Sequence, residues 1–469
     1  MPSQQSANLD HASQGSIQTL FFDHLFLPSG WARDVRLSIK NGFISNIETG
    51  VPRGDATAIS GFALPGIPNL HSHAFQRAMA GLAEHRGSTE DSFWTWRDLM
   101  YRFVGRLTPE DVEAIAAVAY MEMLERGFTA VGEFHYIHHD PNGVPYADLA
   151  EMGSRIVAAA TETGIGLTLL PVFYAYGGFG GTAPSAGQRR FLNDPERFAA
   201  LVERTKKLTA NLPTACVGIA PHSLRAVTPE TLRLVVTAAE TGPIHIHAAE
   251  QVREVDDCIA WSGRRPIEWL LANMKLDPRW CLIHATHMTE EETRQLAATG
   301  AVVGLCPVTE ASLGDGIFNG PEYLAARGRF GVGSDSNVAI DAVGELRQLE
   351  YSQRLRYRSR NVMTDAAGQS TGERLTAEVL AGGAQALSRP IGAIEVGRRA
   401  DIVVLDPEQI NLGSVESSRW LDCWIFASER AVKTVLVGGE KVVDEGRHVR
   451  RETIASRYRA VLTRLMADV

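Results

Sequence analysis

The stretch PGIPNLHSH, residues 65–73, decides how the rest of the sequence is interpreted. A Pro-Gly pair leads into a short apolar run, which ends in His71 and His73, one residue apart. Alternate residues of a β-strand point to the same face, so both imidazole rings can reach a common point. The stretch therefore predicts a buried strand that carries two candidate metal ligands at its carboxyl end.

Beyond this strand, short apolar runs alternate with helical stretches. The pattern gives eight strand-then-helix units, with helices predicted at 109–126, 147–163, 195–210, 228–240, 252–273, 289–299, 321–327 and 343–357. Such alternation indicates a parallel sheet, and eight units over roughly 290 residues fit an α/β fold of the (β/α)8 TIM-like barrel type. The structural alternative is an open doubly wound sheet, which normally binds a nucleotide at a Gly-rich first turn. No GxGxxG or GxxxxGK[ST] motif follows the first strand.

The two flanks of this region alternate with a period of two residues. DVRLSIKNGFISNIE predicts two strands around the turn Lys40-Asn41-Gly42, and VKTVLVGGEKVVDEG predicts two more around a Gly-Gly turn. We expect these flanks to form one small β-sandwich domain built from both termini. The predicted organisation is a disordered tail (1–16), a β-sandwich (17–62 and 389–450), a barrel (63–388) and a C-terminal helix (451–469).

Net charge, apolar stretches and cysteine spacing limit the partners and the compartment expected for this protein. The formal net charge is −9 and no long basic run is visible, so nucleic acid and anionic membranes are not expected partners. The polar N-terminus lacks the apolar region of a signal peptide, and no apolar stretch is long enough to span a bilayer. The five cysteines are widely spaced without a CxxC motif, which favours reduced thiols in a cytoplasmic protein.

Chemistry-bearing side chains cluster where the predicted strands end, which is where barrel enzymes place their active sites. A lone histidine at a strand end is more often a hydrogen-bonded structural group than a ligand. Several histidines on one rim, with an aspartate from the last strand, favour an open catalytic site for Zn²⁺ or Fe²⁺. The strand-end set comprises His71, His73, Glu133, His135, Tyr136, His222, Arg225, His245, His247, Glu250, His284, His287 and Asp335.

Four motifs, PGIPNLHSH, HIHAAE, LIHATH and GVGSDSN, together resemble the amidohydrolase superfamily, in order and across essentially the whole chain. Four others, NLHSHAFQRAMAG, FWTWRDLMY, EFHYIHH and PHSLRAV, resemble the members that hydrolyse the formimino group of N-formimino-L-glutamate. The resemblance implies a single divalent ion, Zn²⁺ or alternatively Fe²⁺, and a homodimer. It implies metal binding by His71, His73, His247 and Asp335, and catalytic roles for Glu250, His284 and Asp335.

Several histidines compete with this assignment. His245 shares its strand parity with His247, but the H-x-x-E spacing to Glu250 selects His247, which places His245 one barrel layer deeper. His287 is interpreted as a residue that supports the site or the fold. The same interpretation applies to the cluster His135, His138 and His139. Strands three and four contain no lysine that could bridge two metals as a carbamate, so a mononuclear site is the simpler hypothesis.

A formimino-glutamate substrate would present a cationic amidine and two carboxylates. Arginine binds carboxylate through two parallel hydrogen bonds, which makes Arg97 and Arg225 the candidate partners of this dicarboxylate. The resemblance adds Gln76, Tyr136 and His222 as substrate-binding residues. Arg97 could instead form a surface ion pair, and Gln76 and Tyr136 could be structural. The Gly-rich segment 176–192 is either a lid over the site or a long solvated loop.

Two rival functions remain open from the sequence. One is a deaminase of the same superfamily that acts on an aromatic base such as guanine or a pterin, with Trp94 and Trp96 as stacking surfaces. The other is a non-catalytic barrel that serves as a scaffold, although such proteins commonly lose metal ligands and all four are present here.

Overall fold

The computed structural model describes residues 17–85, 92–210, 212, 215–364 and 366–467, and the predicted tail 1–16 lies outside them. The chain begins with four strands: β1 (Gln18–Leu27), β2 (Gly30–Lys40), β3 (Phe43–Glu48) and β4 (Thr57–Pro65). The predicted turn between β2 and β3 is confirmed. Asn41 and Gly42 both have positive φ, 53° and 80°, as a two-residue hairpin turn of this kind requires.

The middle of the chain forms a closed parallel barrel, so the prediction of a (β/α)8 fold is confirmed. Strands β10 to β13 run on through β5 to β8, and short bridges from Ile219 and Ser223 to β10 complete the circle. The fourth strand is broken into two pieces, β8 and β9. The barrel strands are β5 (Ile67–Ser72), β6 (Phe128–His135), β7 (Gly166–Phe173), β8 (Ala215–Val217), β9 (Ala220–Pro221), β10 (Ile244–Ala248), β11 (Trp280–His284), β12 (Val302–Leu305) and β13 (Arg329–Val332).

A helix lies in each of the eight predicted ranges, and α9 (Pro307–Leu313), which follows β12, was not predicted. Several of the helices begin with a reciprocal cap between a threonine and the residue three positions later, as at Thr108 and Thr289. The helices are α1 (Phe93–Val104), α2 (Pro109–Glu125), α3 (Glu151–Thr163), α4 (Pro195–Thr209), α5 (Pro229–Val236), α6 (Val252–Ser262), α7 (Pro266–Asn273), α8 (Glu290–Ala298), α9 (Pro307–Leu313), α10 (Gly320–Ala325), α11 (Ala342–Tyr357) and α12 (Thr371–Ala386).

The predicted helix 252–273 is two helices rather than one. Gly263 has φ of 73° and caps α6, and Pro266 occupies the first turn of α7, where proline is favoured. Helix α1 fills the connection between the first strand and α2, and α12 lies against β5 and β13. The sequence analysis assigned no element at either place.

The chain then returns to the terminal sheet through β14 (Ile402–Leu405), β15 (Val432–Val437), β16 (Glu440–Asp444) and β17 (Arg447–His448). The sheet order is β17-β16-β15-β14-β4-β1-β2-β3, which confirms a small domain built from both termini. β4 continues to Pro65, and the domain boundary after residue 62 stays a prediction. The return segment also contains an unpredicted helix, α13 (Trp420–Ala427), and the C-terminal helix is α14 (Arg451–Met466).

Three separate apolar cores hold these units together. The largest spans the barrel and its helices, and the second includes Phe22, Leu37 and Val404 of the terminal sheet. The third includes Leu70 and Ile283 of the barrel strands. Trp420 of α13 stacks on Phe62 of β4 with ring centroids 3.8 Å apart. All five cysteines are unpaired. Within the described ranges, no helix is both long and apolar enough to cross a membrane.

Candidate metal centre and active site

Two backbone hydrogen bonds join the carboxyl end of β5 to Asp335, in the loop after β13. His71 and His73 lie on one face, with ring centroids 4.7 Å apart, as the spacing predicts. The backbone N–H of Asp335 donates to His71 O at 3.0 Å, and the N–H of His73 donates to Asp335 O at 2.9 Å. The first and last barrel strands therefore fix these three side chains relative to one another.

His247 of β10 completes a compact buried group. Its Nε2 lies 3.1 Å from Nε2 of His71, and candidate ligand atoms of His71, His73 and His247 all lie within 4.8 Å of one another. The Oδ1 atom of Asp335 lies 3.5 Å from Nε2 of His71 and 3.4 Å from Nε2 of His73. The structure thus brings together all four residues that the resemblance assigned to the metal.

The outer ring nitrogens determine how two of these imidazoles are protonated. Nδ1 of His73 lies 3.0 Å from the carbonyl of Phe134, and Nδ1 of His247 lies 3.0 Å from the carbonyl of His222. A carbonyl oxygen only accepts, so each Nδ1 carries the proton and each Nε2 presents a lone pair to the cluster. Backbone carbonyls that orient metal-ligating histidines in this way are a recurrent feature of metal sites.

Burial keeps these imidazoles neutral. Burial lowers the pKa of His71 to about 3, and it lowers the pKa of His73 and of His247 as well. Burial opposes ionisation of Asp335, but the hydrogen bond from His71 and the positive charge of His284 hold its pKa below the usual range. Neutral imidazole and ionised carboxylate are the forms that bind a cation.

Asn337 ties the centre together. Its side-chain amide donates to Ser72 Oγ, to the His73 carbonyl and to the Asp335 carbonyl, at 3.0–3.1 Å, and its oxygen accepts from Ser334 Oγ. Asp335 and Asn337 have φ of 44° and 56°, a conformation that most side chains avoid. The network holds this turn in a form that local sequence preference does not favour.

Glu250 and His284 form a second group beside the cluster. Nε2 of His284 lies 3.6 Å from Glu250 Oε1 and 3.8 Å from Asp335 Oδ2, and its Nδ1 lies 3.3 Å from Glu310 Oε1. Burial would lower the pKa of His284, but Glu250, Glu310 and Asp335 together raise it to about 10. His284 is therefore a cation surrounded by carboxylates, able to donate a hydrogen bond towards the cluster.

Two buried acids that the sequence analysis did not single out position this group. Glu254 accepts from the backbone N–H groups of Ala249 and Glu250, and Glu310 accepts from the N–H of Cys306 as well as from His284. Glu254 lies one helical turn beyond Glu250, and this spacing was a signal that could have identified it. Glu310 left no comparable signal, because its partner is 26 residues away in the chain.

A cavity opens over the cluster, and all five predicted substrate residues line it: Gln76, Arg97, Tyr136, His222 and Arg225. Nε2 of Gln76 donates to the Tyr136 hydroxyl at 2.9 Å. Arg225 is not only a wall residue, because its guanidinium lies 3.6 Å from Oε2 of Glu250. The cavity wall also includes Trp96, one of the two predicted stacking surfaces, and Tyr101 and Tyr174, to which the sequence analysis assigned no role.

The segment 176–192 contacts the site through a few residues, while much of the rest is exposed to solvent. Gly177 and Phe191 form part of the cavity wall. The buried Arg190 donates to the carbonyls of His139 and Leu107. Part of the segment is therefore buried at the site, and whether it moves as a lid stays a prediction.

The remaining histidines of the strand-end set lie away from the cluster. Nε2 of His245 lies 2.8 Å from the carbonyl of Ala386 in α12, at the opposite end of the barrel. His138, His139 and His287 bond to the backbone carbonyls of Val172, Leu192 and Asp315. His135 is buried on β6, and no described group bonds to its Nε2.

The donor set fits one divalent cation. His73 and His247 direct Nε2 lone pairs inwards, Nε2 of His71 lies in van der Waals contact with one of them, and Asp335 supplies an anionic oxygen. A proton on Nε2 of His71 satisfies only part of this group of buried acceptors, whereas a cation satisfies all of them together. Three imidazoles and one carboxylate match the ligand types of Zn²⁺ and Fe²⁺.

Comparison with known proteins agrees with this geometry. The amidohydrolase family model matches residues 62–442, and the model named formimidoylglutamate deiminase HutF, N-terminal domain, matches residues 22–56. A formimidoylglutamate deiminase of Pseudomonas aeruginosa is 51% identical over 455 residues, covering 96% of this chain and 100% of that protein. An 8-oxoguanine deaminase of the same organism is 29% identical over 422 residues, covering 86% and 87%.

A solved structure gives the same result for the fold. The crystal structure of an amidohydrolase from Brucella melitensis matches with a TM-score of 0.92 at 53% identity, covering 96% of this chain and 100% of that one. The family match, the close relative and the barrel with its histidine cluster all agree. This chain belongs to the amidohydrolase family.

Proposed function

We propose that this hydrolase converts N-formimino-L-glutamate and water to N-formyl-L-glutamate and ammonia. The observation that carries the proposal is the convergence of His71, His73, His247 and Asp335 on one point, beside an arginine-lined cavity. The deiminase of Pseudomonas aeruginosa, at 51% identity along nearly the whole chain, supports the choice of substrate.

These four residues would hold one divalent ion, and we propose Zn²⁺. When bound, such an ion lowers the pKa of a coordinated water and makes it nucleophilic near neutral pH. Burial holds the three imidazoles in the neutral form that binds the ion. Asp335 is ionised. Its backbone hydrogen bonds to the end of β5 hold its carboxylate oxygen Oδ1 near His71 and His73.

Glu250 is placed to handle the protons of the reaction. Its Oε1 faces Nε2 of His284 and its Oε2 faces Arg225, both at 3.6 Å. Burial raises the pKa of Glu250 to about 7, although the charges of His284 and Arg225 oppose this rise. A carboxylate near this pKa can accept a proton from the attacking water and return it to the departing amine.

His284 is proposed to stabilise the tetrahedral carbon that forms on attack. It is held by Glu310 on one side and presents its Nε2 towards Asp335 on the other. A fixed donor at the point where charge develops costs no reorganisation during the reaction. Collapse of the tetrahedral carbon then breaks its bond to the former imino nitrogen, which leaves as ammonia. The carbon becomes the carbonyl carbon of the formyl group and stays bonded to the glutamate nitrogen.

The cavity fits a dicarboxylate better than a flat base. Arg97 and Arg225 line it together. The guanidinium of Arg97 lies over the Trp94 ring at 4.5 Å, and that of Arg253 lies over the same ring at 4.6 Å. Trp94 is thus engaged by arginine and does not line the cavity, so of the two predicted stacking surfaces only Trp96 is placed where a flat base would meet it.

Ammonia release by the purified, zinc-loaded protein tests the proposal. N-formimino-L-glutamate should be hydrolysed with a kcat/KM at least about 10³-fold above that for guanine or 8-oxoguanine, since a site built for carboxylates leaves its arginines unpaired with a neutral base. Preference for either purine would favour the aromatic-base deaminase. We also propose a homodimer in the cytoplasm, which light scattering and cell fractionation would test.

A further inference from the structure

The amide of Gln188, in the segment 176–192, is tied on both sides. Its Oε1 accepts from the backbone N–H of Ser185 at 2.7 Å, which fixes the orientation of the amide. Its Nε2 then faces the hydroxyl of Tyr174 at 2.6 Å and that of Tyr101 at 3.3 Å. An amide nitrogen only donates, so both phenol oxygens accept. Each phenol must therefore donate its own proton elsewhere.

A phenol proton of Tyr101 or Tyr174 can be donated to a ligand in the cavity. Tyr101, from α1, and Tyr174, which follows β7, both line the cavity over the metal centre. The two hydroxyls also interact with each other, which uses one of the two protons. At least one phenol proton remains for a ligand, and burial raises the pKa of Tyr174 above its usual value, so this donor stays protonated.

Two guanidiniums accompany the phenols. The charges of Arg225 and Arg97 both act on Tyr174, and the guanidinium of Arg97 lies 5.6 Å from the ring of Tyr101. Nε of Arg97 is buried without a hydrogen-bond partner among the described residues. Cations and neutral donors grouped in this way recognise an anion with several acceptor oxygens.

The side chains that could bind carboxylates form two groups at different places in the cavity. Arg225 pairs with Glu250 at the reacting end of the cavity. Arg97 and Tyr101 lie one turn apart on α1, on the same helical face. Among the described residues, no hydrogen bond or ion pair joins either of them to Glu250. The substrate carries one carboxylate beside the formimino nitrogen and a second at the end of its side chain. The first matches Arg225, and the second matches the group on α1.

We propose that Tyr101 and Tyr174, oriented by Gln188, bind the side-chain carboxylate of the substrate together with Arg97. Gln188 is a positioning residue, because it acts through the two phenols rather than by touching the substrate. This inference rests on the proposed function, since it divides the two carboxylates of that substrate between two ends of one cavity. It makes the segment 176–192 a determinant of specificity.

Steady-state kinetics with two substrates tests the assignment. Tyr101→Phe and Tyr174→Phe keep the rings but remove the hydroxyls. Each should raise KM for N-formimino-L-glutamate about 10-fold or more, as expected for a lost hydrogen bond to a charged group, with kcat within about threefold of wild type. N-formiminoglycine lacks the side-chain carboxylate, and its KM should stay unchanged. Gln188→Met should act in the same direction.

Tyr146→Phe is the matched control. The Tyr146 hydroxyl interacts with Arg190 of the same segment but does not line the cavity, so this variant weakens the packing of the segment alone. Unchanged KM values for N-formimino-L-glutamate in the tyrosine variants would overturn the inference. An equal loss with both substrates, accompanied by a lower Tm, would also overturn it, because that result indicates a structural role.

Calorimetric binding of glutarate separates this inference from the proposed function. Glutarate carries two carboxylates and no formimino group. If the wild type does not release ammonia from N-formimino-L-glutamate, the proposed function fails. The carboxylate site is still supported if glutarate binds the wild type and binds the Tyr101→Phe and Tyr174→Phe variants at least about 10-fold more weakly. Equal binding to all three proteins would refute it.

Discussion

The Nε2 atoms of His71 and His247 lie 3.1 Å apart in the interior of the barrel. The carbonyl of His222 holds the proton of His247 on Nδ1, so the Nε2 lone pair of His247 points at His71. Two strands far apart in the sequence thus present ring nitrogens to the same point, and Asp335 presents a carboxylate to it as well. A cation at that point would be bound by both ring nitrogens and by the carboxylate.

Glu250→Gln should retain the metal and lose kcat by about 10²-fold or more, which is a typical effect for a general acid–base residue. The amide preserves the shape of the side chain but does not accept a proton. Ammonia release gives the rate, and elemental analysis of the same preparation gives the metal content. A variant that keeps both full activity and full metal content would remove Glu250 from the mechanism.

Arg225→Met should raise KM and also shift the acidic limb of the pH–rate profile to higher pH. Burial raises the pKa of Glu250, and the charge of Arg225 opposes that rise. Removing the charge therefore raises the pKa further, so the carboxylate is protonated at a higher pH. Arg253→Met, with its side chain 65% exposed, is the matched control and should leave the limb in place. An unshifted limb in Arg225→Met would argue against the contact with Glu250.

Asn337→Ala should weaken metal binding by about 10-fold or more, in the range found when groups that orient metal ligands are removed. The substitution removes the donors that hold the backbone of His73 and Asp335 together. Competition with a chromogenic chelator measures the affinity. Asn337→Asp preserves the shape and the oxygen but loses the donors, so it should show a similar loss. Wild-type affinity in both variants would mean that Asn337 does not organise the centre.

Gly382→Ala should destabilise the protein by about 1–3 kcal/mol, the usual cost of overpacking a core. Gly382 lies in α12 where the helix meets β13, and a Cβ there would overlap the carbonyl group of Phe330. Gly153→Ala is the matched control in α3, since its nearest neighbour, Leu169, is 3.9 Å away. That change should be neutral or stabilising by up to about 1 kcal/mol. Chemical denaturation distinguishes the two, and equal values would contradict the packing described.

Much of the fold was predictable because its signals are local. The spacing of the His-x-His pair predicts that both side chains lie on one face of a strand. Asn41 and Gly42 readily adopt the positive φ values of the turn between β2 and β3. The parallel barrel follows from the alternation of strands and helices. Helix α1 also carries a local signal, because the apolar residues Phe93, Met100 and Val104 have helical spacing and are buried, although the sequence analysis assigns no helix there.

The parts of the site that were missed depend on contacts between distant residues. Glu310 is identifiable only once it meets His284, and Gln188 only once it meets Tyr101 and Tyr174. The left-handed backbone at His284, with φ of 69°, is likewise imposed by the surrounding fold. Sequence patterns gave the residues of the centre, and tertiary packing gave the groups that orient them.

Anomalous diffraction at the absorption edge of zinc, from crystals of the zinc-loaded protein, tests the central claim most directly. The account predicts one peak, about 2.0–2.2 Å from Nε2 of His71, His73 and His247 and from a carboxylate oxygen of Asp335. A single strong peak elsewhere in the barrel, or two peaks of equal height at its carboxyl end, would contradict it.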